Sequence, residues 1–306
     1  MRFFYSNVLI NEELIIFQKN FIFKIMKKIL ILNCALLYIA LSISCNQSAE
    51  NKNTNIKGSD STFRLGSAAQ ITIATNDIDK SKVFYELLGF KQVQEIPSGI
   101  QMSDESVLIM LQKSDNKFIR ISYFDSNADK IADEVEKQGN HFIVKNENTG
   151  FFTRSIFSTP DGIEVSLVKM DPSNIYKPKG KNGMNMSDAE RKDAKNYPNA
   201  MCGAFGELSI PVANFDSSYA YWKKLGFNGT KYTEPYPWAV MTDGFLSIGL
   251  HQQTQFTYQA ITFFAPDMQQ RIDKLISLGL TVTEFMAPGN GVVVSPEGTH
   301  IFLFGM

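Results

Sequence analysis

The sequence predicts an α+β protein whose folded part is one domain written twice. Two observations and a length carry this. First, four segments recur in the same order at an offset of 136 to 140 residues. QITIATNDID (70–79) matches ELSIPVANFD (207–216), and FYELLGF (84–90) matches YWKKLGF (221–227). EVEKQGN (134–140) pairs with KLISLGL (274–280), and TPDGIEVSLV (159–168) with SPEGTHIFLF (295–304). An ordered set of matches at one offset marks an internal repeat. Second, each copy reads strand, helix, three strands, and then the same again. The chain of 306 residues has room for two domains of ~100–200 residues.

The elements follow in order. Gln70–Thr75 alternates apolar and polar residues, as a strand with one buried face does. Asp77 or Asp79 can cap a helix running through Leu88, with Val83, Leu87 and Leu88 expected on its buried side. Gly89 ends it, because a left-handed terminus costs glycine no Cβ clash. Strands are expected near Lys91–Glu95, Ile100–Ser103, Ser106–Gln112 and Phe118–Phe124. A second helix, Ala128–Gln138, stops at Gly139. Strands near His141–Val144, Phe151–Ser158 and Glu164–Lys169 close the first copy. The second copy repeats the series around helices Asp216–Leu225 and Asp267–Leu278. The units are therefore 66–170 and 200–306. Residues 171–199, rich in Lys, Asn, Pro and Gly, read as a linker with a short helix at Ser187–Lys195 capped by Ser187.

The chain ahead of the first unit has a different character. Residues 29–44 form an apolar run preceded by Met26-Lys27-Lys28 and ending in small residues. That is a signal-peptide pattern, and the run is short of the ~20 residues a membrane span needs. Glu12 and Glu13 upstream do not suit it, so Met26 is the expected start. Ser42-Ile43-Ser44-Cys45 resembles the lipobox of bacterial lipoproteins, with Cys45 the lipidated residue; Ser42 stands where Leu is usual. Residues 1–45 are thus an N-terminal extension and lipoprotein signal peptide. Residues 46–65 are a polar tether, since Asn46 to Ser61 is nearly free of apolar side chains. The expected location is the cell envelope, held to a membrane by the lipid.

Composition excludes some chemistry. Lys+Arg is 30 against Asp+Glu 31, so no basic excess supports nucleic-acid binding. Three cysteines (Cys34, Cys45 and Cys202) are too few for a disulfide framework or a Cys-rich zinc site. Three histidines (His141, His251 and His300) leave little for a His-based metal centre.

The FYELLGF segment after Asn76-Asp77-Ile78-Asp79 and the Pro160-Asp161-Gly162 turn resemble the vicinal oxygen chelate superfamily. It includes glyoxalase I, bleomycin-resistance proteins, fosfomycin-resistance enzymes and extradiol dioxygenases. The resemblance implies tandem glyoxalase-like domains, each of two βαβββ modules whose mixed sheets curl into a cup. In the family's enzymes the cup holds a divalent metal on four strand positions, commonly His and Glu. Carried over, these positions are Gln70, Met110, Arg120 and Ser166 in the first unit. In the second they are Glu207, Gly249, Ala260 and Phe302.

A divalent ion taken out of water needs several anionic or imidazole donors at ~2 Å. Met110 is neutral and soft, Arg120 is a cation, and Phe302 offers no donor. The usual metal site is therefore expected to be absent, and no cofactor is expected. The alternative is a displaced site for Zn, Fe, Mn or Ni on Glu207, His251 and His300. The favoured placement leaves His251 at a strand end facing solvent, His300 beside a turn and His141 in an exposed loop.

Without a metal the cups can still hold a small molecule. Gln70, Arg120 and Ser166 would make a polar cup suited to an anionic group, should Arg120 point inward. In the second unit Pro235-Tyr236-Pro237-Trp238 sets a rigid aromatic edge beside Glu207 and Phe302, for an apolar or cationic ligand. The same Trp238 could instead pack into the core. The expected function is small-molecule binding rather than catalysis. The alternative is a metal-dependent lyase, isomerase or dioxygenase. The resemblance leaves a homodimer open, since family members are often dimers with cavities shared across modules.

Overall fold

A computed structural model describes residues 63–306. The proposed start at Met26, the signal peptide, Cys45 and nearly all of the tether lie outside the described residues. Among those residues no helix is long and apolar enough to cross a membrane.

The first unit contains β1 (Ala68–Thr75), α1 (Ile78–Leu87), β2 (Lys91–Ile96), β3 (Gly99–Ser103) and β4 (Leu108–Lys113). It continues with β5 (Ile119–Asp125), α2 (Ala128–Lys137), β6 (Phe142–Asn148), β7 (Thr153–Ser158) and β8 (Glu164–Lys169). The eight strands form one sheet in the order β2-β3-β4-β1-β5-β8-β7-β6. The two modules meet where β1 and β5 pair antiparallel, with Gln70 opposite Ser122 and Thr72 opposite Arg120. Each first strand lies parallel to its module's last strand, β1 to β4 and β5 to β8. Both modules of the sheet thus come from the same unit.

A bridging segment carries α3 (Asp188–Arg191), closed by a full capping box in which Ser187 and Glu190 satisfy each other's backbone N–H. The second unit then repeats the topology. It has β9 (Ala204–Pro211), α4 (Phe215–Lys224), β10 (Asn228–Tyr232), β11 (Trp238–Thr242) and β12 (Ser247–His251). It ends with β13 (Ala260–Ala265), α5 (Met268–Ser277), β14 (Thr283–Phe285), β15 (Ala287–Val294) and β16 (His300–Gly305). Its sheet order, β10-β11-β12-β9-β13-β16-β15-β14, is the first order shifted by eight. The α+β class and the tandem arrangement are as the repeat predicts.

Strand alternation divides each sheet into two faces. Ile71, Ile73, Ile121, Tyr123, Val165 and Leu167 face the helices. They join Leu208, Ile210, Ile261, Phe263, Ile301 and Leu303 of the second unit in a single apolar core. An aromatic file crosses between the units: Tyr85 to Phe90 at 5.6 Å, Phe90 to Phe263 at 6.2 Å and Phe263 to Phe205 at 6.2 Å. The helix α1 buries Ser81, Phe84 and Tyr85. Val83, expected inside, is 57% exposed. The buried stripe of α1 is set by the other unit as well as by its own sheet.

That second contact explains the repeated motifs. Glu297, in the turn before β16, accepts hydrogen bonds from Ser81 Oγ (2.7 Å) and Tyr85 OH (2.9 Å) on α1. Reciprocally, Asp161, in the turn before β8, accepts from Ser218 Oγ (2.5 Å) and Trp222 Nε1 (3.2 Å) on α4. The acidic turn of each unit closes on the helix of the other. Burial raises the Asp161 carboxyl pKa, and the Ser218 and Trp222 bonds offset part of that. The bridging segment adds Asn199, whose amide donates to Leu88 O (2.9 Å) and Asp104 Oδ2 (3.0 Å). Arg271 of α5 reaches Asn199 O at 2.6 Å. The linker is therefore packed between the units rather than slung across them.

Candidate functional site

The faces turned away from the helices form the two cups. The four positions carried over by resemblance lie in equivalent register. Thr72 is opposite Met110 and Arg120, as Ser209 is opposite Gly249 and Ala260. Ser122 is opposite Ser166, as Thr262 is opposite Phe302. A hydroxyl pair bridges the two modules at the base of each cup: Thr72···Ser122 at 2.8 Å and Ser209···Thr262 at 2.6 Å.

The first cup is open. Its cavity of about 380 Å³ is lined by Gln70, Gln101, Met110, Arg120, Ser122 and Ser166, among others. That lies within the ~300–1,000 Å³ common for small-molecule sites. Gln70, Arg120 and Ser166, singled out from the sequence, thus share one cavity. A chain of side-chain bonds crosses the floor. Gln101 Nε2 donates to Gln70 Oε1 (2.7 Å), and Gln70 Nε2 donates to Thr72 Oγ1 (3.3 Å). Arg120 does point inward, but its charge is already used. Its Nε and Nη2 both donate to Glu164 Oε2, at 2.9 and 2.5 Å, and its guanidinium lies 4.2 Å from the Phe118 ring centroid. Arg154, the other charged lining residue, is held by Glu147 at 2.6 Å. A neutral hydrogen-bonding floor replaces the anion site expected for an unpaired arginine.

The second cup is filled from within. Phe302 is 1% exposed and stacks on Phe285 at 4.7 Å, with Phe256 edge-on at 5.2 Å. The sizes are complementary: where the first unit has Met110, Arg120 and Ser166, the second has Gly249, Ala260 and Phe302. A Cβ at Gly249 would stand 2.1 Å from the Glu207 carboxyl carbon, so Glu207 occupies the space a side chain there would need. Trp238 stacks on Tyr232 at 4.3 Å, and its Nε1 donates to Glu234 O at 2.9 Å. It is 7% exposed, so it packs into the unit.

His251 corrects its expected placement. Its side chain is 13% exposed and turns inward, with Nε2 2.6 Å from Glu207 Oε1. The physical reason is its register on β12, two residues beyond Gly249 on the same face, which aims it at the buried carboxylate. Its Nδ1 meets Tyr236 OH at 3.3 Å, so both ring nitrogens are engaged. Burial and the nearby Glu207 carboxylate raise the pKa of the Tyr236 phenol, which keeps it a donor. His300 is stacked 3.6 Å from Tyr258, and burial lowers its pKa. Among the described residues no three His, Cys, Asp or Glu side chains converge as a metal site.

The donor chemistry of both cups therefore does not fit the divalent ion of the family's enzymes. In the first, the four positions hold an amide, a thioether, a paired guanidinium and a hydroxyl. In the second, one carboxylate is committed to His251 and Ser209 (2.6 Å), and the remaining positions hold Gly, Ala and Phe.

Sequence reasoning missed Gln101, Gln94, Gln112, Thr72 and Ser122 of the first lining. Thr72 and Ser122 were accessible through alternation, two residues from Gln70 and Arg120. The glutamines of β2, β3 and β4 become neighbours of β1 only once the sheet forms.

Residues 67–167 match the family model described as Glyoxalase/Bleomycin resistance protein/Dioxygenase superfamily. Similar solved structures include homoprotocatechuate 2,3-dioxygenase from Arthrobacter globiformis. It has a TM-score of 0.55 and 14% identity, covering 83% of this chain and 84% of that one. A point variant of the enzyme of that name from Brevibacterium fuscum has a TM-score of 0.55 and 13% identity, covering 80% of this chain and 72% of that one. No curated protein sequence matches. At such identity the likeness concerns the fold, and it spans both units. Residues 67–167 are thus similar to the Glyoxalase/Bleomycin resistance protein/Dioxygenase superfamily, and the second unit repeats the first unit's topology strand for strand.

Proposed function

We propose that the protein binds a small molecule in its first cup without a divalent metal, and that it does so at the cell envelope, tethered through Cys45. The observation that carries this reading is the open cavity of about 380 Å³, whose lining among the described residues contains no carboxylate and no imidazole. Such a lining can orient a ligand by hydrogen bonds, but it supplies no carboxylate or imidazole to activate the hydroxyls of Ser122 and Ser166 and no metal-holding set. The protein is then a binding or sequestering protein rather than a catalyst. The filled second cup holds its own apolar cluster, Phe256, Ala260 and Phe302, on the face away from the core that the units share.

The test uses the full chain, purified in detergent. Native mass spectrometry is expected to detect a small molecule bound one per chain, retained after chelation. Elemental analysis is expected to find Zn, Fe, Mn and Ni well below stoichiometric. A stoichiometric metal that disappears in Glu207→Ala would overturn the reading. It would favour a metal-dependent lyase, isomerase or dioxygenase, and the 2.6 Å contact of Glu207 with His251 is the feature that keeps this second reading in view. Anchoring is tested separately: Cys45→Ser should release the protein from the membrane fraction, and continued membrane association would refute it. A homodimer is part of the proposal and is read from sedimentation.

A further inference from the structure

We infer that the first cup takes a neutral saccharide of about one or two sugar rings, judged from its place at the small end of the usual ~300–1,000 Å³ range. The inference rests on the reading that this cup binds a ligand, and it names the class.

The first argument is charge. Among the described residues of the lining, the charged ones are Arg120 and Arg154. Each is closed on a carboxylate, Glu164 and Glu147, at hydrogen-bond distance. An anionic ligand at Arg120 would have to compete with Glu164 for a guanidinium that is 10% exposed and already paired, while the more exposed Arg154–Glu147 pair offers only a weak, screened attraction. An ammonium group would meet no free carboxylate at all.

The second argument is the hydrogen-bonding pattern. Four of the lining residues are glutamines (Gln70, Gln94, Gln101 and Gln112), contributed by β1, β2, β3 and β4. Hydroxyls from β1, β5 and β8 extend the polar surface across the module boundary. An amide offers a carbonyl acceptor and an NH2 donor, and a sugar hydroxyl is both donor and acceptor. A ring with hydroxyls around its periphery can use such a lattice on several sides at once. A flat aromatic amide would use one edge of it.

The third argument is an unmet acceptor. Gln101 is 4% exposed and lines the cavity, and its Nε2 is spent on Gln70. Its Oε1 is buried and has no hydrogen-bond partner. A buried carbonyl left unpaired is costly, and a hydroxyl donor in the cup satisfies it.

The fourth is an aromatic platform. Phe151 lines the same cavity yet is 73% exposed, on the turn between β6 and β7. Phe152 follows it into the lining. A large aromatic ring held in water at the rim of a polar cup suits the C–H face of a sugar ring, which is apolar while its edge is not.

The test is saturation-transfer NMR and calorimetry on the full chain in detergent. The probes are a neutral glucose disaccharide, a neutral galactose disaccharide, the matching uronic acid, nicotinamide, and a neutral polysaccharide ending in the same sugars. At least one neutral disaccharide is expected to bind. Its affinity should fall at least tenfold in Gln101→Leu and in Phe151→Ala and stay unchanged after chelation. The exposed position of Phe151 makes its variant safe for folding, so one variant reports on the site even if the buried one is destabilised. Binding of the polysaccharide but not the free disaccharide would assign the sugar to a glycan terminus and still support the class. Tighter binding of the uronic acid, or of nicotinamide, through the same two residues would overturn the saccharide assignment and leave the cup-binding reading standing. If no probe binds and native mass spectrometry also finds no bound molecule, both fall together.

Discussion

Replacing Tyr85 by Phe tests whether the two units stand or fall as one body. The substitution removes a single hydroxyl, whose bond to Glu297 Oε1 is 2.9 Å long and crosses between the units. Tyr85 is fully buried and Glu297 is 9% exposed, so water does not readily replace the lost partner. Glu297 keeps its bond from Ser81 Oγ at 2.7 Å, so the carboxylate is weakened but not abandoned. A hydrogen bond to a charged group contributes about 1.5–3 kcal/mol. For a body of this size, about 2–4 °C per kcal/mol converts that to a melting point roughly 3–12 °C lower. The assay is urea and thermal unfolding followed by tryptophan fluorescence. Both tryptophans, Trp222 and Trp238, lie in the second unit, whereas Tyr85 lies in the first. A fluorescence transition that moves with the mutation therefore reports coupling across the interface. The double variant with Glu297→Gln should show a coupling energy of ~0.5–3 kcal/mol. A loss below ~0.5 kcal/mol, within the scatter of ordinary surface substitutions, would refute the argument. So would a fluorescence transition that stays in place while far-UV circular dichroism shifts.

Other outcomes follow from the second cup and the core. Phe302→Ala should cost about 3–5 kcal/mol in urea unfolding, because it empties the centre of a packed aromatic cluster. Gly249→Ala places a methyl group against the Glu207 carboxylate and should cost about 1–3 kcal/mol, visible as a shifted His251 imidazole resonance as well as a lower midpoint. His300 supplies a pH test. Burial lowers its folded pKa below the ordinary ~6.5, so the folded state takes up a proton less readily than the unfolded one. Its contribution is fully present above about pH 6.5 and is lost as the pH falls toward the folded value. His300→Phe should therefore lose less melting temperature between about pH 7 and pH 5 than the wild type. Cys202 is buried, and burial raises its thiol pKa, so a thiol reagent should label it only at the global unfolding rate.

Much of the fold was legible along the chain. The four recurring segments placed both units, and Gly89, Gly139, Gly226 and Gly279, each at positive φ, stop the four main helices where the pattern said. That Thr72 shares a face with Gln70, and Ser122 with Arg120, also followed, because alternation on a strand is local, whereas the inward direction of Arg120 waited on strand pairing. What the residues face across space was not legible. Val83 sits outside because Ser81 and Tyr85 must reach Glu297, a residue far along the chain. Arg120 reads as a free cation until β5 pairs with β8 and puts Glu164 opposite it. His251 reads as a strand-end surface residue until β12 pairs with β9 and brings Glu207 beneath it.

The sequence alone determined that the chain carries two copies of one α+β unit, and that neither copy has the usual donors for a divalent ion. The first is exposed by repetition, and the second by residue type at the positions that the family resemblance implies, both without knowledge of distance. The tertiary structure alone decided that the copies differ in kind, one cup open and the other closed. That difference is a matter of volume. Gly249 and Ala260 leave room that Phe302 and Glu207 fill, whereas Met110 and Arg120 stand beside a serine too small to close the cup. Only side chains brought together from separate strands can add up to a cavity or to its absence.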